Sequence, residues 1–225
     1  MGQVALERGK QGRVVRSVRT VVFDLGGVLI DWDPRNLYVK FFGDDREGME
    51  RFLGEVCTPD WNTAQDAGRT IAEAVAGLTA RFPEQAALIE AYYARWTEML
   101  NGSIDGSVDI LRELRDQGTP LYALTNFSAE TFPVAQRIYD YLAWFRGIVV
   151  SGHEGLIKPD PRIYRLLLER YELTAENVIY IDDVERNAQA ANDLGMTGLH
   201  FTGPDGLRDD LTRLGVLNGL GVLNR

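Results

Sequence analysis

The sequence predicts a doubly wound α/β domain, a parallel sheet with helices on both faces, carrying a small helical cap domain inserted after the first strand. Three observations lead there. Short apolar runs recur at residues 20–24, 121–125, 147–151 and 178–182, with a fifth at 197–201, and each precedes a turn and a helix-spaced stretch. Strands covered on both faces read as unbroken apolar runs, and strands alternating with helices build βαβ units. Residues 32–104 then break this rhythm with helical spacing and no convincing strand. An insertion of that length exceeds a simple crossover.

The elements follow in order. The first strand, "TVVFD", is apolar until Asp24. Residues 34–54, 70–81 and 84–101 read as helices, and "IAEAVAGLTARF" and "EQAALIEAYYARWTEML" have the apolar spacing of helices that pack on one another. Linkers near 31–33 and 102–106 join this cap, residues 32–104, to a core of residues 19–31 and 105–225. "SVDILRELRDQG" closes on Gly118 as a C-cap, and "VERNAQAANDLG" closes on Gly195. "DPRIYRLLLERY" opens with Asp160 as N-cap and Pro161 at the first helical position. Residues 1–18 are basic and lack the apolar core of a secretory signal, so a flexible tail is expected.

Composition narrows the function. Hydrophobic residues at 45% and charged residues at 25% suit an ordinary globular protein. No apolar run approaches the roughly 18 residues of a membrane span. A net charge of −9 argues against nucleic acid, whose backbone needs clustered Lys and Arg. The single Cys57 excludes an internal disulfide and fits a reducing, cytoplasmic setting. His153, His200 and Cys57 cannot build a typical zinc site, so a metal would be held by oxygens, which points to Mg²⁺. The expected partner is a small molecule, with neither nucleic acid nor membrane, and the protein itself a monomer or homodimer.

In a parallel sheet ligands gather at the carboxyl ends of the strands. Asp24 ends the first strand, and "ALTNFS" puts Thr125 and Asn126 at the end of the second. "GHEGLIKPD" brings Lys158 after the third, and "YIDDVERN" brings Asp182, Asp183 and Asn187 after the fourth. Each alone has an ordinary role as a turn residue, a helix cap or an acid at a helix N-terminus. Their meeting on one edge points to chemistry. Acids from two strands can hold Mg²⁺, which offsets the charge of a phosphate. Asp24 can then act as a carboxylate nucleophile, forming an acyl phosphate that water hydrolyses. Thr125, Asn126 and the backbone amides around Gly26 and Gly27 would bind phosphoryl oxygens, and Lys158 would counter the developing charge.

The ordered set "FDLGGVL", "LTN", "KPDPRIY" and "YIDDVERNAQAANDLGM" resembles the haloacid dehalogenase superfamily of hydrolases. The resemblance implies Asp24 as nucleophile, Thr125 and Asn126 as phosphate ligands and Lys158 as the stabilising cation. It implies Mg²⁺ held by Asp24, the Gly26 carbonyl and Asp183, with Asp182 beside them; which of the two late acids touches the metal stays open at this point. Asn187 would order the loop. The pattern is nearest to bacterial sugar-phosphate phosphatases, including glucose-1-phosphate phosphatase-like proteins, and so implies a phosphorylated metabolite.

One position departs from that family. Its phosphatases usually carry a second Asp two residues after the nucleophile, as general acid and base, and its dehalogenases an aromatic residue; here stands Gly26. Losing a general acid costs about 10²–10⁴-fold in rate. The expectation is a substrate with an easily departing group, or an acid drawn from the cap or the substrate. In the cap, "CTPDWNTAQDAGR" concentrates Trp61, Asn62, Gln65, Asp66 and Arg69, and Trp61 and Arg69 are the candidate substrate contacts. Helix capping and packing account for them equally well. A 2-haloacid dehalogenase would use the same Asp24 but no metal, and the paired late acids weigh against it. A phosphate-binding pseudo-enzyme is the other alternative. A phosphorelay receiver would need its acid pair first along the chain, not last.

Overall fold

The computed structural model describes residues 19–217; the expected basic tail, residues 1–18, lies outside them. Alternate side chains of the central strand point to opposite faces, and both faces are covered. This strand, β1 (Thr20–Phe23), is followed by a short β2 (Ile30–Trp32). Five helices come next: α1 (Arg35–Phe42), α2 (Arg46–Glu55), α3 (Pro59–Asp66), α4 (Ile71–Arg81) and α5 (Ala86–Ala94). The chain returns through β3 (Leu100–Ser103), α6 (Asp105–Asp116), β4 (Leu121–Thr125) and α7 (Phe132–Ile138). It continues as β5 (Gly147–Val150), α8 (Ser151–Glu154), α9 (Pro161–Arg170) and β6 (Val178–Asp182). Last come α10 (Glu185–Asn192), β7 (Thr197–His200) and α11 (Pro204–Arg213).

The main sheet has the order β5-β4-β1-β6-β7, and every pairing in it is parallel. Val21, Phe23, Ile179 and Ile181 enter one core with α6, α7, α11 and the helical insertion. Val22, Val178 and Tyr180 enter a second core with Ile163, Tyr164 and Leu167 of α9 and Ala191 of α10. Each large apolar side chain so buried contributes about 1.5–3 kcal/mol. Because β1 lies between β4 and β6, Asp24 emerges beside Thr125 and Asp182. That neighbourhood is the topological switch point of the sheet, where ligands settle.

All five expected strands are present, with three ends revised: the first stops at Phe23, one residue before Asp24. The third stops at Val150, because Ser151 opens α8 and its hydroxyl accepts from the Phe127 amide at 2.9 Å. The fifth stops at His200. The expectation of no strand within 32–104 is also corrected. The two linkers pair with each other as the antiparallel ribbon β2–β3, with Asn101 Nδ2 donating to Asp31 at 2.8 Å. β3 reads Leu-Asn-Gly-Ser, without the apolar run that would mark a strand, and β2 is only three residues long. The expected helix at 34–54 is two helices broken at Gly43, and 84–101 holds α5, flanking 3-10 turns and the start of β3. The insertion shares its core with one face of the sheet, since Leu37, Tyr38 and Tyr92 belong to the same apolar cluster as Phe23.

Candidate active site

A buried lysine organises the carboxyl edge of the sheet. Lys158 Nζ lies 2.8 Å from Asp24 Oδ2 and 2.7 Å from Asp182 Oδ2, and donates to the Leu124 carbonyl at 3.1 Å. Burial works to lower Lys158, but Asp24 and Asp182 outweigh it and hold the ammonium above its ordinary pKa. Burial drives Asp24 upward, Lys158 opposes that, and Asp182 and Asp183 add to it; the net direction is up. Burial also acts to raise Asp182, yet Lys158, Tyr180 and the Val184 amide overcome it and keep this carboxylate low.

Asp182 has no lone pair to spare. Its Oδ2 accepts from Lys158 and from the Tyr180 hydroxyl, and its Oδ1 from Val184 N at 2.9 Å and Asn187 Nδ2 at 3.0 Å. A carboxylate offers about four such positions, and all are taken. Asp182 therefore fits a lysine anchor and loop organiser better than the metal ligand expected of it, while Asn187 orders the loop as expected.

Asp183 faces the same centre. Carboxylate atoms of Asp24, Asp182 and Asp183 lie within 4.8 Å of one another, and burial and Asp182 push Asp183 upward. Crowded hard oxygens of like charge are the donor set that suits a divalent cation such as Mg²⁺. The loop after β1 is shaped to admit Asp183: a Cβ on Gly27, at φ +71°, would stand 2.2 Å from Asp183 Oδ2. Gly27→Ala is accordingly expected to displace Asp183, weaken Mg²⁺ binding measured by calorimetry and lower Tm by about 5 °C or more. Gly26→Ala, whose Cβ would meet nothing within 4 Å, is expected to leave Tm in place.

Two of the expected phosphate contacts are revised. The Gly27 amide donates to the Ile30 carbonyl at 3.0 Å, closing the loop, and is not free for a phosphoryl oxygen. The Asn126 side chain is engaged with the Lys158 backbone, accepting from its amide at 2.8 Å and donating to its carbonyl at 3.1 Å. It positions the lysine instead of presenting its amide to a ligand. Thr125 meets the expectation differently: its Oγ1 is buried with no partner among the described residues. A buried hydroxyl costs free energy when unpaired, so a ligand oxygen is its natural complement.

Above this edge lies a cavity of about 110 Å³ between sheet and insertion. Gly26, Asn126 and Ser128 line it from the sheet side, and Asn62, Asp66 and Tyr93 from the helices. Trp61 and Arg69 do not line it, which corrects their assignment as substrate contacts. Trp61 Nε1 donates to the Ala74 carbonyl at 3.3 Å, and Arg69 is bound to Gln65 Oε1 at 2.7 Å and the Trp61 carbonyl at 2.9 Å. On α3, Trp61 and Gln65 lie one turn apart on one stripe, and Arg69, three residues beyond the end of the helix, folds back onto both. Asn62 and Asp66, one residue on, occupy the neighbouring stripe that meets the cavity. Burial pushes Asp66 up to about 7, only partly opposed by Lys158. The Tyr180 hydroxyl and the apolar walls Trp32, Trp96 and Phe127 are absent from the sequence-based site.

The profile of the haloacid dehalogenase-like hydrolases matches residues 18–195. The chain belongs to that family. This haloacid dehalogenase-like hydrolase is 30% identical to sesquiterpene phosphatase astK of Aspergillus oryzae over 189 residues, which cover 82% of this chain and 90% of that one. It is 29% identical to acyl-CoA dehydrogenase family member 10 of Mus musculus across 93% of this chain, but spans 20% of that longer protein. Among solved structures, a HAD family enzyme from Bacteroides thetaiotaomicron in complex with magnesium and inorganic phosphate shares the fold, with a TM-score of 0.62 at 20% identity. The match covers 80% of this chain and 92% of that one. Among the described residues of this hydrolase, no helix is long and apolar enough to cross a membrane.

Proposed function

We propose that this hydrolase is a Mg²⁺-dependent phosphatase that cleaves a phosphate monoester of a compact, largely apolar alcohol through an aspartyl-phosphate on Asp24. The observation that carries the reading is the Asp24–Lys158–Asp182 cluster with Asp183 opposite it and the orphaned Thr125 hydroxyl beside it. Asp24, Asp183 and the carbonyl of Gly26 would hold the cation, which supplies charge to offset the phosphate dianion. Thr125 Oγ1 and the backbone amide of Asn126 receive phosphoryl oxygens. Lys158, 2.8 Å from Asp24, favours its ionised form against burial and balances charge as the phosphoryl group moves onto it. Asp182 holds Lys158 in place. The helical insertion acts as a cap that keeps bulk water off the ester.

Ile30, Trp32, Tyr93, Trp96, Leu100 and Phe127 give the cavity an apolar and aromatic side, and Asn62, Asp66, Asn126, Ser128 and Thr131 a polar one. Such walls suit an alcohol with an apolar body better than a sugar with hydroxyls on every face. The relation to a sesquiterpene phosphatase supports an apolar ester. At about 110 Å³ the cavity is smaller than the about 150 Å³ engineered void that takes up benzene, so a sesquiterpenyl chain would extend beyond it.

The test is release of inorganic phosphate from 4-nitrophenyl phosphate, with 2-chloropropionate as a halide-release control. Phosphate release that falls about 10²-fold or more in EDTA and returns with Mg²⁺ is the expected result. Halide release that is indifferent to EDTA would mark a dehalogenase, and neither product would mark a phosphate-binding protein without turnover.

A further inference from the structure

We propose that Asp66 on α3 supplies the proton to the departing alcohol and afterwards takes the proton of the attacking water. It thereby fills the role that Gly26 leaves open. This rests on the phosphatase reading above.

Four observations support it. Asp66 and Gly26 line the same cavity from opposite sides, one on the helical insertion and the other on the loop after β1. A Cβ on Gly26, itself a lining residue of that cavity, would meet nothing within 4 Å, so a side chain at position 26 would have open space. Asp66 is tied down by one long hydrogen bond, 3.4 Å from Asn62 Nδ2, and among the described residues no Lys or Arg forms an ion pair with it. Arg69, its nearest cation along the chain, is turned back onto Gln65 and Trp61. A half-buried carboxyl without a cationic partner retains its proton near neutral pH, as a general acid must.

The bonds balance. Asp24 attacks phosphorus, the phosphorus–oxygen bond to the alcohol breaks, and the alkoxide takes the Asp66 proton. Water then attacks the acyl phosphate and gives a proton to the Asp66 carboxylate. The phosphorus–oxygen bond to Asp24 breaks, releasing phosphate and restoring the nucleophile. Asn62 orients Asp66 as a positioning residue.

The experiment compares butyl phosphate, a poor leaving group, with 4-nitrophenyl phosphate, a good one, both with Mg²⁺. Asp66→Asn is expected to lower kcat on butyl phosphate about 10²–10⁴-fold and on 4-nitrophenyl phosphate about threefold or less. Adding Gly26→Asp to Asp66→Asn is expected to restore at least about tenfold of the loss on butyl phosphate. Equal losses on both esters, or none on either, would overturn the proposal. The wild-type protein gives a reading that needs no folded variant: a shallow dependence of kcat/KM on alcohol pKa supports proton donation, and a steep one refutes it. Wild-type turnover of 4-nitrophenyl phosphate separately decides the phosphatase reading, so its loss and the loss of the Asp66 assignment are distinguishable.

Discussion

Asp24→Asn is expected to cut phosphate release by about 10⁴–10⁶-fold, the scale of losing a nucleophile, while melting no lower than the wild type in metal-free buffer at pH 8. The activity loss follows from replacing the carboxylate that would accept the phosphoryl group. The stability result follows from what surrounds it. Burial, Asp182 and Asp183 together raise Asp24 despite Lys158 at 2.8 Å. A carboxyl whose pKa is higher in the folded than in the unfolded state contributes its full stability below the unfolded value, and loses it as pH rises through the folded one. At pH 8 the ionised side chain is thus a burden that the neutral amide removes, and Lys158 still keeps Asp182 and the Leu124 carbonyl. Near pH 4 both side chains are neutral and the two proteins converge. Added Mg²⁺ reverses the order by stabilising the wild type more strongly than the variant. A metal-free Tm for Asp24→Asn well below wild type at pH 8 would show that the Asp24–Lys158 pair is net stabilising and that the crowding of acids is not the dominant effect. Such a trade of stability for reactivity is a common feature of catalytic sites.

The sheet was legible in the sequence because its strands are covered on both sides: runs such as Val21-Val22-Phe23 and Val178–Ile181 have no polar alternation to disguise them. The ribbon β2–β3 was not, since Asp31, Asn101 and Gly102 form strand only because each linker finds the other. The same distinction runs through the site. Asp24, Thr125, Lys158 and the late acids were readable because parallel topology alone brings strand ends together. What each side chain does there depends on hydrogen bonds that no spacing reveals. Asn126 clamps Lys158, the Gly27 amide closes its own loop, and Asp182 is saturated by four donors, one of them from Tyr180 on the same strand. On α3 the error was one of phase. The sequence offered a polar cluster without a helix boundary: a displacement of one residue, about 100° around the axis, separates Trp61 from Asn62 and Gln65 from Asp66, and Arg69 lies past the helix end.

Lys158→Met is expected to show how far one cation underwrites both folding and chemistry. The ammonium is buried against two carboxylates, and methionine fills its volume without its charge. Removing one partner of a buried ion pair costs about 3–5 kcal/mol, a fall in Tm of about 10 °C for a chain of this size. The deficit has a defined pH window. Asp182 is held low in the folded wild type, so the stability it shares with Lys158 is present above the unfolded carboxyl pKa and is lost as pH falls through the folded one. Lys158 is held high, so its share persists up to its unfolded pKa and is lost only as pH rises through the folded value. The variant should therefore trail the wild type most between neutral and mildly alkaline pH. The gap should begin to narrow only as pH falls below the ordinary carboxylate value of about 4, and close once Asp182, held lower than that in the folded wild type, is protonated. Phosphate release should fall about 10²–10³-fold, the cost of one lost stabilising donor at the reacting centre. Part of that loss reflects Asp24 retaining its proton, so activity relative to wild type should recover partially as pH is raised. A variant equally deficient in stability at pH 8 and at a pH low enough to protonate Asp182 in the folded wild type would place the defect in packing. A pH-dependent gap accompanied by near-wild-type turnover would leave Lys158 an anchor of the fold and remove it from the chemistry.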